Sequence, residues 1–222
     1  MTHESPIKQR LHISFGKFDA LKYTGNLDIG SIWERVLRRA DLPVLYTQGF
    51  NTRPRIKLAS ALPLGITSEC ELLDVALDEI LNTVDGIKEQ LEAVSPQGLR
   101  IYEIKEVPVN VPALQALVRS AEYRIAAIDD FDLDDLQARI DKTLAAESIM
   151  RTKKSKKNKQ KTIDVRPMIY ELYLDSGKMI AHLACGQEHG NLRPNDLLEV
   201  MDLADVAMRI HRFRLHIDDY QV

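Results

Sequence analysis

The stretch Thr24 to Pro43, TGNLDIGSIWERVLRRADLP, decides how the rest of the chain is read. Ile29, Ile32, Trp33, Val36, Leu37 and Ala40 recur at the spacing of one helix face, so the segment is an amphipathic helix with an apolar stripe for a core. Asn26 or Asp28 can cap its start, and Pro43 enforces its end. Upstream, Arg10 to Lys17, RLHISFGK, alternates as a strand with Leu11, Ile13 and Phe15 on one face. Downstream, Arg53 to Ala61 and Glu69 to Leu77 read as two strands around the turn LPLGITS. Asn82 to Val94 has helical spacing through Val84, Ile87, Leu91 and Val94, SPQG breaks it, and Leu99 to Val107 alternates again. The order is β-α-β-β-α-β, the split βαβ or ferredoxin-like pattern.

The second half repeats that order. Tyr123 to Ile128 reads as a strand, and Leu133 to Ala146 as a helix with Leu133, Leu136, Ile140 and Leu144 inward. A strand near Ile149 runs into RTKKSKKNKQK and returns at Thr162 to Val165. PMIYELYLDSGKMIAHLAC is a hairpin about Asp175, Ser176 and Gly177. Arg193 to Leu203 is a helix with Pro194 in its first turn, and Met208 to Ile217 closes the unit. The expected architecture is therefore α+β, with two tandem ferredoxin-like units over residues 1–110 and 123–222. A linker at 111–122 with a short helix joins them, and the second unit carries an inserted basic β-hairpin loop at 151–161.

A chain of 222 residues, 45% hydrophobic and 28% charged, has the size and composition of one large or two ordinary folded domains. No apolar run approaches the ~20 residues that span a bilayer. The first residues, MTHESPIKQR, lack an apolar signal core, so a cytoplasmic location and no membrane partner are expected. Cys70 and Cys185 are too few for a disulfide framework or for an iron–sulfur cluster held by thiolates. The net charge of −3 conceals an asymmetry: residues 151–161 hold seven basic side chains and no acid, leaving the remainder at −10. Such a tongue is either a solvated, self-repelling arm or an anion-seeking one.

Arginines crowd the end of the first helix. Glu34 to Arg38 is a favourable pair one turn apart, whereas Arg35 to Arg39 is unfavourable by a few tenths of a kcal/mol. Arg53 and Arg55 follow within YTQGFNTRPRIKLASALPLG, Tyr46 to Gly65. If helix end and loop converge, these guanidiniums suit bidentate recognition of phosphate or carboxylate; otherwise they are a solvated face. Gly49 and Asn51 allow a tight turn that projects Phe50 as a stacking platform for a base, the alternative being a Phe50 tucked under the turn. Leu62-Pro63-Leu64-Gly65 lacks the glycines and the lysine of a phosphate cradle.

Other candidates are weaker. Arg-Pro recurs at Arg53-Pro54, Arg166-Pro167 and Arg193-Pro194, and proline holds each arginine extended. Asp164 and Arg166 share a face if IDVR is a strand, as a structural ion pair or as a base beside an arginine. HLACGQEHG offers His182, Cys185, Glu188 and His189, but on a strand 182 and 185 point to opposite faces and no second ligand pair follows. His211 and His216 flank the last strand with no nucleophile beside them. No hydrolase elbow, zinc-protease helix, dinucleotide fingerprint or P-loop is present, so no metal and no cofactor are expected of this chain.

The run LKYTGNLDIGSIWERVLRRADLPVLYTQGFNTRPRIKLASALPLGITSECELLDVALDE, with SAEYRI, IDVRPMI and NLRPNDLLEVM further on, resembles the bacterial radical-SAM-linked protein family over nearly the whole chain. The resemblance implies an accessory module encoded beside, or fused to, a B12-binding radical SAM protein and positioning a substrate such as RNA for it. One departure is that this chain has Asn26 where the family commonly has histidine. The expectation is an RNA-binding, non-catalytic protein. Arg35, Arg38, Arg39, Arg53 and Arg55 would meet phosphates, Phe50 would stack, and Lys153, Lys154, Lys156 and Lys157 would add a salt-sensitive grip. Two alternatives stay open: an RNA-modifying or RNA-cleaving enzyme using Asp164 with Arg166 or a histidine, and an adaptor whose basic tongue docks on an acidic protein.

Overall fold

The apolar stripe of Thr24–Pro43 is helical over α1 (Asn26–Arg39) in a computed structural model that describes residues 6–48, 50–154, 160–186 and 190–219, with the side chains of 153, 154, 160 and 161 outside the description. Its N-cap is Gly25, whose N–H donates to Asp28 Oδ2 at 2.9 Å, rather than Asn26 or Asp28 itself. The helix ends before Pro43 is reached. Asp41 adopts φ 52°, which lets the Leu42 N–H return to the Leu37 carbonyl at 3.1 Å.

The fold is mixed α+β, and the chain forms two units, residues 1–118 with 217–222 and residues 119–216. The first contains β1 (Gln9–Lys17), α1, β2 (Ile56–Leu58), β3 (Thr67–Leu77), α2 (Ile87–Val94), β4 (Leu99–Val107) and a short α3 (Leu114–Leu117). β1 pairs antiparallel with β3 and β4, and β2 lies antiparallel along β3, so the order is β4-β1-β3-β2. Leu11, Ile13 and Phe15 project from β1 into a core with Ile29, Trp33 and Val36 of α1. Phe15 meets Trp33 edge to face, with ring centroids 5.0 Å apart.

The other face of β1 is also buried, and here the alternation misleads. Arg10 and His12 are 7% and 8% exposed. Arg10 grips Asp74 of β3 with two bonds, Nε to Oδ1 at 2.8 Å and Nη2 to Oδ2 at 2.7 Å. Its Nη1 donates to the Val111 carbonyl at 2.6 Å, so the stretch after β4 is tied to this strand. His12 sits beside the pair, its Nε2 3.9 Å from Asp74 Oδ1, and Lys105 of β4 is its register partner. Burial holds the His12 imidazole below its ordinary pKa; the Asp74 carboxylate opposes this and Arg10 reinforces it. As pH falls through the usual histidine range, the unfolded chain takes up a proton that folded His12 resists, so stability falls. His12→Gln is expected to flatten the dependence of the urea midpoint on pH between about 6.5 and 5. An unchanged slope would place the acid sensitivity elsewhere.

The second unit runs β5 (Val118–Ala127), α4 (Leu133–Ala145), β6 (Met150–Lys154), β7 (Gln160–Asp164), β8 (Ile169–Asp175), β9 (Lys178–Ala184), α5 (Pro194–Val200) and β10 (Met208–Ile217). Its sheet order is β10-β5-β9-β8, in which the four strands counted along the unit occupy the same places as in the first unit. β6 and β7 pair separately as the inserted hairpin, from Met150↔Asp164 to Lys154↔Gln160. β8 and β9 turn through Ser176 and Gly177, both with positive φ, as a two-residue hairpin requires. Ala121, Tyr123 and Ile125 alternate inward on β5, while Met179, Ala181 and Leu183 do so on β9.

Three elements differ from the sequence expectation for local reasons. β2 is only three residues long because Arg53 to Arg55 pair with Leu45 to Thr47 instead of with β3. α2 begins at Ile87, not Asn82, because Gly86 at φ 80° forms its N-cap. β5 starts at Val118 because Ser120 and Ala121 already pair with Ala184 and Leu183. Among the described residues no helix is long and apolar enough to cross a membrane.

Candidate functional site

The loop after α1 is a small hairpin clamped to the end of β3. Leu45 N–H donates to the Ala76 carbonyl at 2.8 Å, Ala76 N–H donates to the Arg55 carbonyl at 3.0 Å, and Arg55 N–H donates to the Leu45 carbonyl at 2.7 Å. Tyr46 bridges Pro54, and the Thr47 side chain accepts the Arg53 N–H at 2.9 Å. With its base closed in this way, the loop carries Phe50 fully into solvent, at 110% relative exposure. Gly49 lies outside the described residues. Arg53 is exposed, whereas Arg55 is half-buried at the base and already engaged.

Arg35, Arg38 and Arg39 are exposed on the last turns of α1, which leads straight into this loop. Among the described residues no ion pair joins Arg35, Arg38, Arg39 or Arg53 to a carboxylate, and the Glu34–Arg38 pair read from spacing is not formed. Four guanidiniums and one aromatic ring are thus left to water on one segment of the chain.

The inserted hairpin is anchored at its root. Arg151 Nη2 lies 2.8 Å from Asp196 and 2.7 Å from Glu199 of α5, so one of the seven basic side chains is neutralised. The backbones of Lys153 and Lys154 are paired in β6; Lys156 and Lys157 lie outside the described residues.

Asp164 and Arg166 are not the ion pair that their spacing suggests. Asp164 Oδ1 accepts the backbone N–H groups of Ile149 and Arg166, at 2.8 and 3.0 Å. The Arg166 guanidinium donates to the carbonyls of Ile169 and of Leu144 at the end of α4. Arg166 also opens a 3-10 turn, Arg166–Met168, while Arg193 caps α5 in the extended conformation expected before proline. Both Asp164 and Arg166 are committed to holding backbone.

A cluster that the sequence did not signal lies on the β5, β9 and β10 strands of the second unit. Glu122 of β5 pairs in register with His182 of β9, and His216 comes from β10 on the other side of β5. His216 Nε2 and Glu122 Oε1 are 2.7 Å apart, and the imidazoles of His182 and His216 are tilted 30° to each other with centroids 4.7 Å apart. His182 Nε2 shares a hydrogen bond of 2.7 Å with the buried Ser120 hydroxyl, and Tyr170 packs edge-on to the His182 ring. Burial, then the neighbouring His216, lowers the His182 pKa, with Glu122 opposing. Partial burial alone would raise Glu122, but the His216 hydrogen bond and the Arg214 guanidinium outweigh it and hold the carboxyl below its ordinary value. Cys185, expected to face away from His182, is buried and bridged to Asn191; Glu188 and His189 lie outside the described residues. The cluster escaped the sequence reading because its members are 60 and 34 positions apart, with no local motif.

A family described as "Uncharacterized protein conserved in bacteria (DUF2344)" matches residues 10–194. The chain belongs to this family. The matched span takes in the loop of Phe50, the inserted hairpin, Glu122 and His182, and stops before His216. No curated protein matches the chain. Among solved structures, it is similar to a Cbf5-Nop10-Gar1 complex at 13% identity and a TM-score of 0.45, covering 94% of this chain and 50% of that one. It is also similar to an archaeal box H/ACA sRNP Nop10-Cbf5 complex at 11% identity and a TM-score of 0.41, covering 94% and 49%. A third is an unknown protein from Galdieria sulphuraria, at 16% identity and a TM-score of 0.28, covering 92% and 98%. The chain therefore spans about half the length of the first two matched chains. At these scores the similarity assigns neither fold nor function.

Proposed function

We propose that the chain is an RNA-binding accessory module made of two tandem ferredoxin-like units, which presents substrate to a B12-binding radical SAM partner in the cytoplasm. The repeated strand order, β4-β1-β3-β2 and β10-β5-β9-β8, supports the fold assignment. The partner and its compartment rest on the sequence resemblance.

The observation that carries RNA binding is Phe50, fully exposed on the chain segment that also bears guanidiniums which no carboxylate of the described residues neutralises. Leaving a phenylalanine in water forgoes roughly 1.5–3 kcal/mol of burial, part of which a stacked base would recover. Stacking on a base supplies about 1–3 kcal/mol and tolerates any sequence. Arg35, Arg38, Arg39 and Arg53 then meet phosphates, the basic hairpin extends the grip, and binding falls with salt with a log–log slope of about −3 for four single-strand contacts. Asp164 and Arg166 lend no support to an enzyme reading, since both hold backbone.

The test is binding of a fluorescent single-stranded RNA by the purified full chain, paired with crosslinking and sequencing of bound RNA in cells. Arg38→Glu with Arg53→Glu is expected to weaken binding at least tenfold and to make the salt slope shallower. Phe50→Ala is expected to lower affinity by about 1–3 kcal/mol while leaving the slope unchanged. Unaltered affinity in both variants overturns the reading. Co-purification of a protein partner with no nucleic-acid absorbance favours the adaptor instead.

A further inference from the structure

We infer that Glu122, His182 and His216 form a binding site for one divalent transition-metal ion in the second unit. Each offers one ligand atom, and these atoms all lie within 4.8 Å of one another. Two imidazoles and a carboxylate are the donor set of open zinc sites and of the two-histidine, one-carboxylate arrangement that also takes iron or manganese. Bonds of ~2.0–2.1 Å in a tetrahedral site place donors about 3.4 Å apart, so closure needs side-chain movement on the order of 1 Å. The strands make that movement small. Glu122 and His182 face each other directly across the β5–β9 ladder, and β10 brings His216 to the other side of Glu122.

The surrounding contacts fit the same role. His216 at 2.7 Å and Arg214 at 3.1 Å both hold Glu122 Oε1, and among the described residues Oε2 accepts no hydrogen bond. A metal would replace the proton that His216 Nε2 and Glu122 Oε1 now share, while Arg214 keeps the carboxylate oriented. Ser120 fixes the His182 ring through Nε2, as outer contacts orient metal-binding histidines. Three protein donors leave at least one coordination position for water or a substrate oxygen. The site shares no residue with the arginine surface, so the two proposals stand or fall separately.

The full chain, stripped with a chelator, would be titrated with Co²⁺ and with Zn²⁺. One Co²⁺ per chain is expected, with a visible absorption band free of thiolate character that Zn²⁺ displaces. His182→Ala and Glu122→Gln should each weaken binding at least 100-fold, Ser120→Ala about 10–100-fold, and His211→Ala not at all. Absence of a one-to-one Co²⁺ band, or wild-type affinity retained in His182→Ala and in His216→Ala, overturns the proposal. Should a variant fail to fold by circular dichroism, the wild-type histidine NMR signals decide. Zn²⁺ must shift His182 and His216; if both stay still, the site is wrong.

Discussion

Asp74→Ala is expected to destabilise the first unit by about 3–5 kcal/mol, the usual result of removing one partner from a buried ion pair. The two side chains are 9% and 10% exposed, and both guanidinium–carboxylate bonds are 2.8 Å or shorter. Without the carboxylate, Arg10 keeps its charge beside the carbonyls of Val109, Val111 and Pro112, and the tie from β1 through Arg10 to Val111 loses its counter-anchor on β3. The single tryptophan lies in this unit, so its fluorescence during urea unfolding reads the loss directly. Replacing both members, Arg10→Met with Asp74→Leu, is expected to recover most of the stability, because no charge is left buried. A loss below 1 kcal/mol for Asp74→Ala would mean that water reaches the pair.

Trp33→Ala carries a similar expected loss, about 3–5 kcal/mol, for a different reason. Trp33 is 0% exposed and sits between the β1 face and α1, against Phe15. Truncation leaves a cavity that the surrounding sheet and helix cannot collapse to fill, and it removes the edge-to-face contact. Trp33→Phe separates packing from polarity. Among the described residues the buried Trp33 indole Nε1 has no hydrogen-bond partner, so phenylalanine loses some volume but also removes an unsatisfied donor worth about 1–3 kcal/mol. The expected order of destabilisation, by chemical denaturation followed with circular dichroism, is Ala well above Phe. Equal losses would show that the indole N–H is satisfied in solution.

The same two positions show where the sequence was legible. Trp33 was assigned to a core stripe from spacing alone, because a helix repeats every 3.6 residues and its apolar partners lie within three turns. Met208–Ile217, Leu99–Val107 and the hairpin at Ser176-Gly177 were equally local patterns, and each forms where alternation or turn chemistry put it. Asp74 was not legible. Its partner Arg10 is 64 residues away, and an arginine on an alternating strand reads as solvent-facing until the structure covers that face. Phe50 stood between: the turn residues allowed it to project or to tuck under, and the backbone clamp on Ala76 decided for solvent.

By itself the sequence determined the kinds of elements and their order, since these follow from periodicity, glycine and proline placement, and turn residues within a few positions. Tertiary structure alone decided which polar residues are buried, that Asp164 and Arg166 serve backbone, and that Glu122, His182 and His216 meet. Strand order brings residues 60 and 34 positions apart into contact, and no local pattern encodes a neighbour across a sheet.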